Sequence, residues 1–188
     1  MATTKKNSKK KSSSKSTKNN VNLMALIGLV LALAMIAMCF LPFITTKSTL
    51  TDDSTSAKGF DMIMSLFKKE LKSGDSESQV LAYGFKELDD TKSSALVLSI
   101  AGLAAVAAAL ALAVFYLLSL LGINAGMLKK VLAALVIVAA ILTLVMAFVL
   151  AGKVPTVLGL IKTTAGFGSY LFAGLGLFAG VPAFLAKK

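Results

Sequence analysis

Four long apolar runs, residues 23–44, 95–121, 131–151 and 167–185, are the feature that most restricts what this chain can fold into. At 1.5 Å rise per residue even the shorter runs come close to or exceed the roughly 30 Å of a bilayer's hydrocarbon core. The chain is 56% hydrophobic, and its mean hydropathy is +0.81, a composition that belongs to the membrane class. The expected fold is therefore an all-α membrane protein: a four-transmembrane-helix bundle with a partly ordered extracellular loop.

The charges orient the spans. All nine acidic residues lie between Asp52 and Asp90, and all 20 basic residues are lysines. The tail 1–22, the turn 122–130 and the end 186–188 together hold eleven lysines and no acid, whereas the loops 45–94 and 152–166 hold nine lysines against nine acids. Positive charge gathers on the cytoplasmic side of membrane proteins, so the N-terminus and C-terminus are both expected in the cytoplasm, with the protein in the plasma membrane. The lysine-rich tail is expected to be disordered, because Lys, Ser, Thr and Asn cannot bury enough apolar surface to offset ordering entropy. It serves as a topology signal and fits attraction to anionic lipid. No nucleic acid partner is expected, since the tail has no aromatic residue to stack on bases.

A basic tail before an apolar run also describes a signal peptide. The run 23–44 is too long for one and lacks small residues at a plausible cut. Ile36-Ala37-Met38-Cys39 has Met38 where a lipoprotein box wants a small residue. The first span is expected to remain uncleaved, with Pro42 near its exit.

In the first outer loop Phe60, Ile63, Met64, Phe67 and Leu71 recur at helical spacing, with Lys68, Lys69, Glu70 and Lys72 elsewhere on the wheel. This predicts an amphipathic helix over about 60–72, ended by Ser73-Gly74-Asp75. Residues 80–88 read equally as helix or strand. Around Pro155, residues 156–161 fit one interfacial helical turn.

The chemical repertoire is narrow. No His, Trp or Arg is present, and Cys39 stands alone. There is no imidazole to titrate near neutrality or bind a metal, and no guanidinium fork for phosphate. Asp52, Asp53, Glu87, Asp89 and Asp90 could be imagined around Ca²⁺, but their spacing matches no calcium loop, and Lys47, Lys86 and Lys92 offer simple neutralisation. No metal, cofactor or catalytic residue is expected, and the chain reads as a non-enzyme. Gly174-Leu-Gly176-Leu-Phe-Ala179 matches a dinucleotide fingerprint only formally, because it lies within an apolar helix whose backbone donors are already bonded. The span cores hold no Asp, Glu, Lys or His, only Cys39, Ser99, Tyr116, Ser119, Thr143 and a few end residues, which argues against a pump or coupled transporter.

Small residues are the remaining signal. Ala101, Ala105, Ala109 and Ala113 recur every four residues in the second span, and Ala173, Gly176 and Gly180 share a face of the fourth. Such faces let helix backbones approach closely in lipid, either inside one bundle or against a membrane-protein partner or a second copy of the chain.

Lys58-Gly59-Phe60-Asp61-Met62-Ile63 in the first loop and Gly166-Phe-Gly168-Ser-Tyr170-Leu at the fourth span are similar to small bacterial four-span membrane proteins. The layout, with a large first outer loop, a tight inner turn and a short second outer loop, resembles the claudin-like tetraspan pattern. The loop Trp and paired loop cysteines of claudins are missing, so barrier function is not implied. The resemblance implies a left-handed four-helix bundle with an ordered outer cap. The expected role is an accessory or scaffolding subunit; the alternative is a small pore-forming or permeation protein of holin-like or channel-like kind.

Overall fold

The computed structural model describes residues 13–123, 126–154 and 160–185, with side chains from Leu23 onward. Four long helices carry the fold: α1 (Ser13–Ala37), α4 (Asp89–Leu120), α5 (Gly126–Lys153) and α6 (Phe167–Leu185). Each is long and apolar enough to cross a membrane. They pack in the cyclic order α1, α4, α5, α6 and back to α1. The short elements are β1 (Pro42–Ser48), β2 (Ser54–Lys58), α2 (Gly59–Met64), α3 (Glu77–Glu87) and β3 (Ile161–Ala165).

The bundle is apolar outside and small inside. Val30, Ile100, Val114, Val138 and Phe178 are all more than half exposed, while Ala32, Ala105, Ala109, Ala140, Ala147 and Ala179 are fully buried. Water would be a poor solvent for such an exterior; hydrocarbon suits it. Small interior side chains let the helices approach closely.

The lysine-rich tail was expected to be disordered to residue 22, but α1 begins at Ser13; the stretch before it lies outside the described residues. The first apolar run was expected to span to Ile44. Its helix instead ends at Ala37, passes through one 3₁₀ turn over Met38–Phe40, and becomes extended at Leu41. Pro42 is the cause, since it disfavours helical geometry in the residue before it and has no N–H to donate. Phe43 and Ile44 are fully buried, but in a strand.

The all-α expectation is corrected at this point. β2, β1 and β3 form a three-stranded antiparallel sheet in that order, with β1 in the centre. Thr45 pairs with Ser56 on one side and Thr164 on the other; Thr46 pairs with Thr55 and Thr163. Hydroxyl contacts follow the register, Thr46 Oγ1 to Thr163 Oγ1 at 3.2 Å and Thr45 Oγ1 to Ser56 Oγ at 3.3 Å. β-Branched threonines suit strands. Ile161, expected in a helical turn, opens β3; residues 155–159 lie outside the described residues.

Two helix starts also differ. α4 starts at Asp89 rather than Ala95, projecting two polar turns into the loop region. α5 starts at Gly126, so Lys129 and Lys130, expected to close the turn, belong to its first turns.

Candidate functional site: the loop cap and the bundle locks

The chain between α1 and α4 and the described residues of the loop between α5 and α6 fold into one cap at the end of the bundle where α1 leaves and α4 and α6 begin. Its floor is Phe43, which lies edge-on to Phe172 of α6 with ring centroids 5.3 Å apart. The Gly59 position faces the same ring: a β-carbon there would lie 2.5 Å from Phe43 Cε1. Gly166 donates its N–H to the Phe43 carbonyl at 2.7 Å. A β-carbon on Gly168 would lie 2.6 Å from the Pro42 carbonyl oxygen. The two glycine-containing segments, 107 residues apart in sequence at Gly59 and Gly166, therefore clasp one point on β1. Only glycine lets the backbones meet so closely.

The expected amphipathic helix over about 60–72 is much shorter. α2 stops at Met64, and the chain winds on through i→i−3 bonds, from Leu66 N–H to the Ile63 carbonyl and from Phe67 N–H to the Met64 carbonyl. Side chains of α3 then bond carbonyls of this segment. Lys86 Nζ donates to the Ser65 carbonyl at 3.0 Å and the Lys68 carbonyl at 2.7 Å, and Tyr83 donates its hydroxyl to the Lys69 carbonyl at 2.8 Å. Lys86 was expected to neutralise acids; it caps this segment instead. α3 settles the ambiguous 80–88 stretch as helix, started by a reciprocal capping box between Ser76 and Gln79.

Asp75 closes the segment. Its carboxylate accepts the Lys72 N–H at 2.6 Å and forms an ion pair with Lys68. The Lys68 hydrogen bond, followed by that from the Lys72 backbone, holds the Asp75 carboxyl below its ordinary range. Ser78 links three elements: its hydroxyl donates to the Asp61 carboxylate and accepts the Lys58 N–H at 2.9 Å. Lys47 pairs with Asp52 at 2.8 Å. No three acidic, His or Cys side chains converge among the described residues.

Between this segment and α3 opens a cavity of about 540 Å³, lined by Met64, Phe67, Lys68, Lys69, Glu70, Lys72, Asp75 and Gln79.

Within the bundle, the hydroxyls are committed to protein groups. Ser99 Oγ donates at 2.7 Å to the Met62 carbonyl of α2 and also meets the Ala95 carbonyl. Tyr116 crosses the bundle, its hydroxyl donating to the Ala179 carbonyl of α6 at 2.7 Å and its ring filling the space a side chain on Gly28 of α1 would take. Thr143 and Ser169 bond carbonyls on their own chain segments. Lys129 is buried, its ammonium donating to Ser119 Oγ at 2.8 Å, while Ser119 donates to the Phe115 carbonyl. A Ser–Lys pair can serve a nucleophilic reaction, but here both residues are enclosed between α4 and α5. No local pattern marks this pair beyond the residue types; its members lie ten residues apart across a turn.

Ala101, Ala105, Ala109, Ala113, Ala173, Gly176 and Gly180 are all buried. A β-carbon on Gly176 would meet Ala140 Cβ at 2.5 Å, and one on Gly180 would meet Ile137 Cδ1 at 2.6 Å, so this face of α6 lies on α5 of the same chain. Gly102 faces Ile63 of α2, and Gly174 faces open space. Gly28 was not among the small-residue positions expected from spacing, although Ala32 follows it four residues later.

Comparison with family models, characterised proteins and solved structures finds no match for this chain.

Proposed function

We propose that the chain is a multi-pass plasma-membrane protein, threaded with both termini in the cytoplasm and the cap outside, that acts as a non-enzymatic accessory or scaffolding subunit. The observation that carries this reading is the disposition of the polar groups. The bundle hydroxyls of Ser99, Tyr116, Ser119, Thr143 and Ser169 all bond protein groups within the fold. A permeation path needs polar groups turned towards a lumen, and a hydrolytic centre needs an exposed nucleophile beside a base. A rigid bundle bearing a folded cap suits neither task as well as it suits holding a partner. The lysine distribution supports the threading, and the claudin-like layout fits a cap built from both outer loops.

Two measurements test the reading. Single cysteines placed at Asp53 and Lys130 in a Cys39→Ala background should react with an impermeant thiol reagent from opposite sides, the cap position from outside. Purified protein in liposomes should give no ion flux above that of empty vesicles. Reproducible conductance would replace the scaffold with the pore, and cap labelling from inside would reverse the threading.

A further inference from the structure

An exposed apolar strip leads from the first spanning helix into the cap. Phe40, at the end of the first membrane-length segment, stacks on Phe60 with ring centroids 5.4 Å apart. Met64 follows one turn later, then Phe67, which is 65% exposed. Met64 and Phe67 also line the 540 Å³ cavity, whose other walls are polar. In a membrane spanned by α1, the cavity would open where hydrocarbon gives way to headgroups.

Its polar wall is built to receive an anion. Lys68 is already paired with Asp75, whereas Lys69 and Lys72 have no ion-pair partner among the described residues. Gln79 accepts the Ser76 N–H through Oε1, which leaves its amide NH₂ as a donor. Glu70 is the single uncommitted acid of the lining. The backbone beneath these side chains is fixed by Lys86, Tyr83 and Asp75, so the donors sit on an ordered frame.

We infer that this cavity binds the phosphate of an anionic phospholipid in the leaflet on the cap side. Lys69, Lys72 and the Gln79 amide take the phosphate, while Met64 and Phe67 lie against the upper acyl chain. Two lysines and an amide complement one negative phosphate, and the apolar strip explains why a lipid rather than a free anion is the occupant. The inference rests on the membrane reading above.

The test uses the full chain in phosphatidylcholine nanodiscs, titrated with short-chain phosphatidylglycerol, with backbone hydrogen exchange followed over residues 65–79. Phosphatidylglycerol should slow exchange there, and equal concentrations of short-chain phosphatidylcholine or inorganic phosphate should not. The Lys69→Gln/Lys72→Gln variant should raise the half-protecting concentration about five-fold per lysine. Lys153→Gln/Lys162→Gln removes two charges outside the cavity and should stay within about two-fold of the parent. An equal response to inorganic phosphate would assign a free-anion site, and an equal loss in the second variant would reduce the effect to surface charge; either overturns the inference, as does a lack of protection. A chain that stays soluble and monodisperse without lipid or detergent would instead sink the membrane reading itself.

Discussion

The ring of Phe43 occupies the space that a side chain on Gly59 would need, with Cε1 2.5 Å from the position of the missing β-carbon. Phe43 is fully buried and held against Phe172, so its ring has little room to yield. Gly59→Ala is expected to destabilise the protein by about 1–3 kcal/mol through overpacking. Thermal unfolding in detergent would show the loss, and Phe43→Leu in the same chain should recover part of it. An undisturbed Gly59→Ala midpoint would mean that the cap does not close on this contact.

Lys129 and Ser119 make an asymmetric pair. Removing the hydroxyl strands a buried ammonium, whereas replacing the lysine by an apolar side chain of similar length removes the charge and leaves Ser119 bonded to the Phe115 carbonyl. Ser119→Ala is therefore expected to cost about 1–3 kcal/mol and Lys129→Met less than that. The order of the two unfolding midpoints decides it; Lys129→Met as the worse variant would show that the ammonium itself is needed.

The small-residue face of α6 gives a contrast within one helix. Gly176→Leu and Gly180→Leu should each weaken the bundle by several kcal/mol, because their neighbours are Ala140 Cβ and Ile137 with the Ala133 carbonyl. Gly174→Leu should be tolerated, as nothing lies within 4 Å of its β-carbon position. Oligomer size on a sizing column should not change in any of the three. Equal stability in all three would place the face against lipid, and a changed oligomer would place it at an interface between chains.

Tyr116 ties α4 to α6 through one hydrogen bond to the Ala179 carbonyl. Tyr116→Phe keeps the ring against Gly28 and removes only that bond, so a loss of about 0.5–1.5 kcal/mol is expected. A larger loss would point to the hydroxyl serving a second group.

The pH response of the cap follows from Asp75. Lys68 and the Lys72 backbone hold its carboxyl below the ordinary value of 3.8. Because the folded pKa is depressed, the stabilising contribution is complete above 3.8 and fades as pH falls through the lower folded value. Exchange at the Lys72 and Asp75 amides should accelerate over that acid range, while Asp75→Asn should exchange faster at neutral pH and lose the acid response. A parent protein with no acid response at these amides would remove Asp75 from the closure.

Four apolar helices were legible in the sequence, because membrane-length runs follow from composition and length alone. The sequence also pointed to the small-residue faces through their four-residue spacing. Tertiary structure decided the rest, because the deciding partners are distant along the chain. The Thr-rich strands carry no apolar alternation, and β3 finds β1 more than a hundred residues away. Pro42 sat inside an apolar run, yet the strand it opens needed β2 and β3 to satisfy its backbone. The stripe from Phe60 to Leu71 had helical spacing, but Lys86 and Tyr83 of α3 took the carbonyls beyond α2. Local pattern selects the elements; which donor reaches which carbonyl is fixed only when the loops close over the bundle.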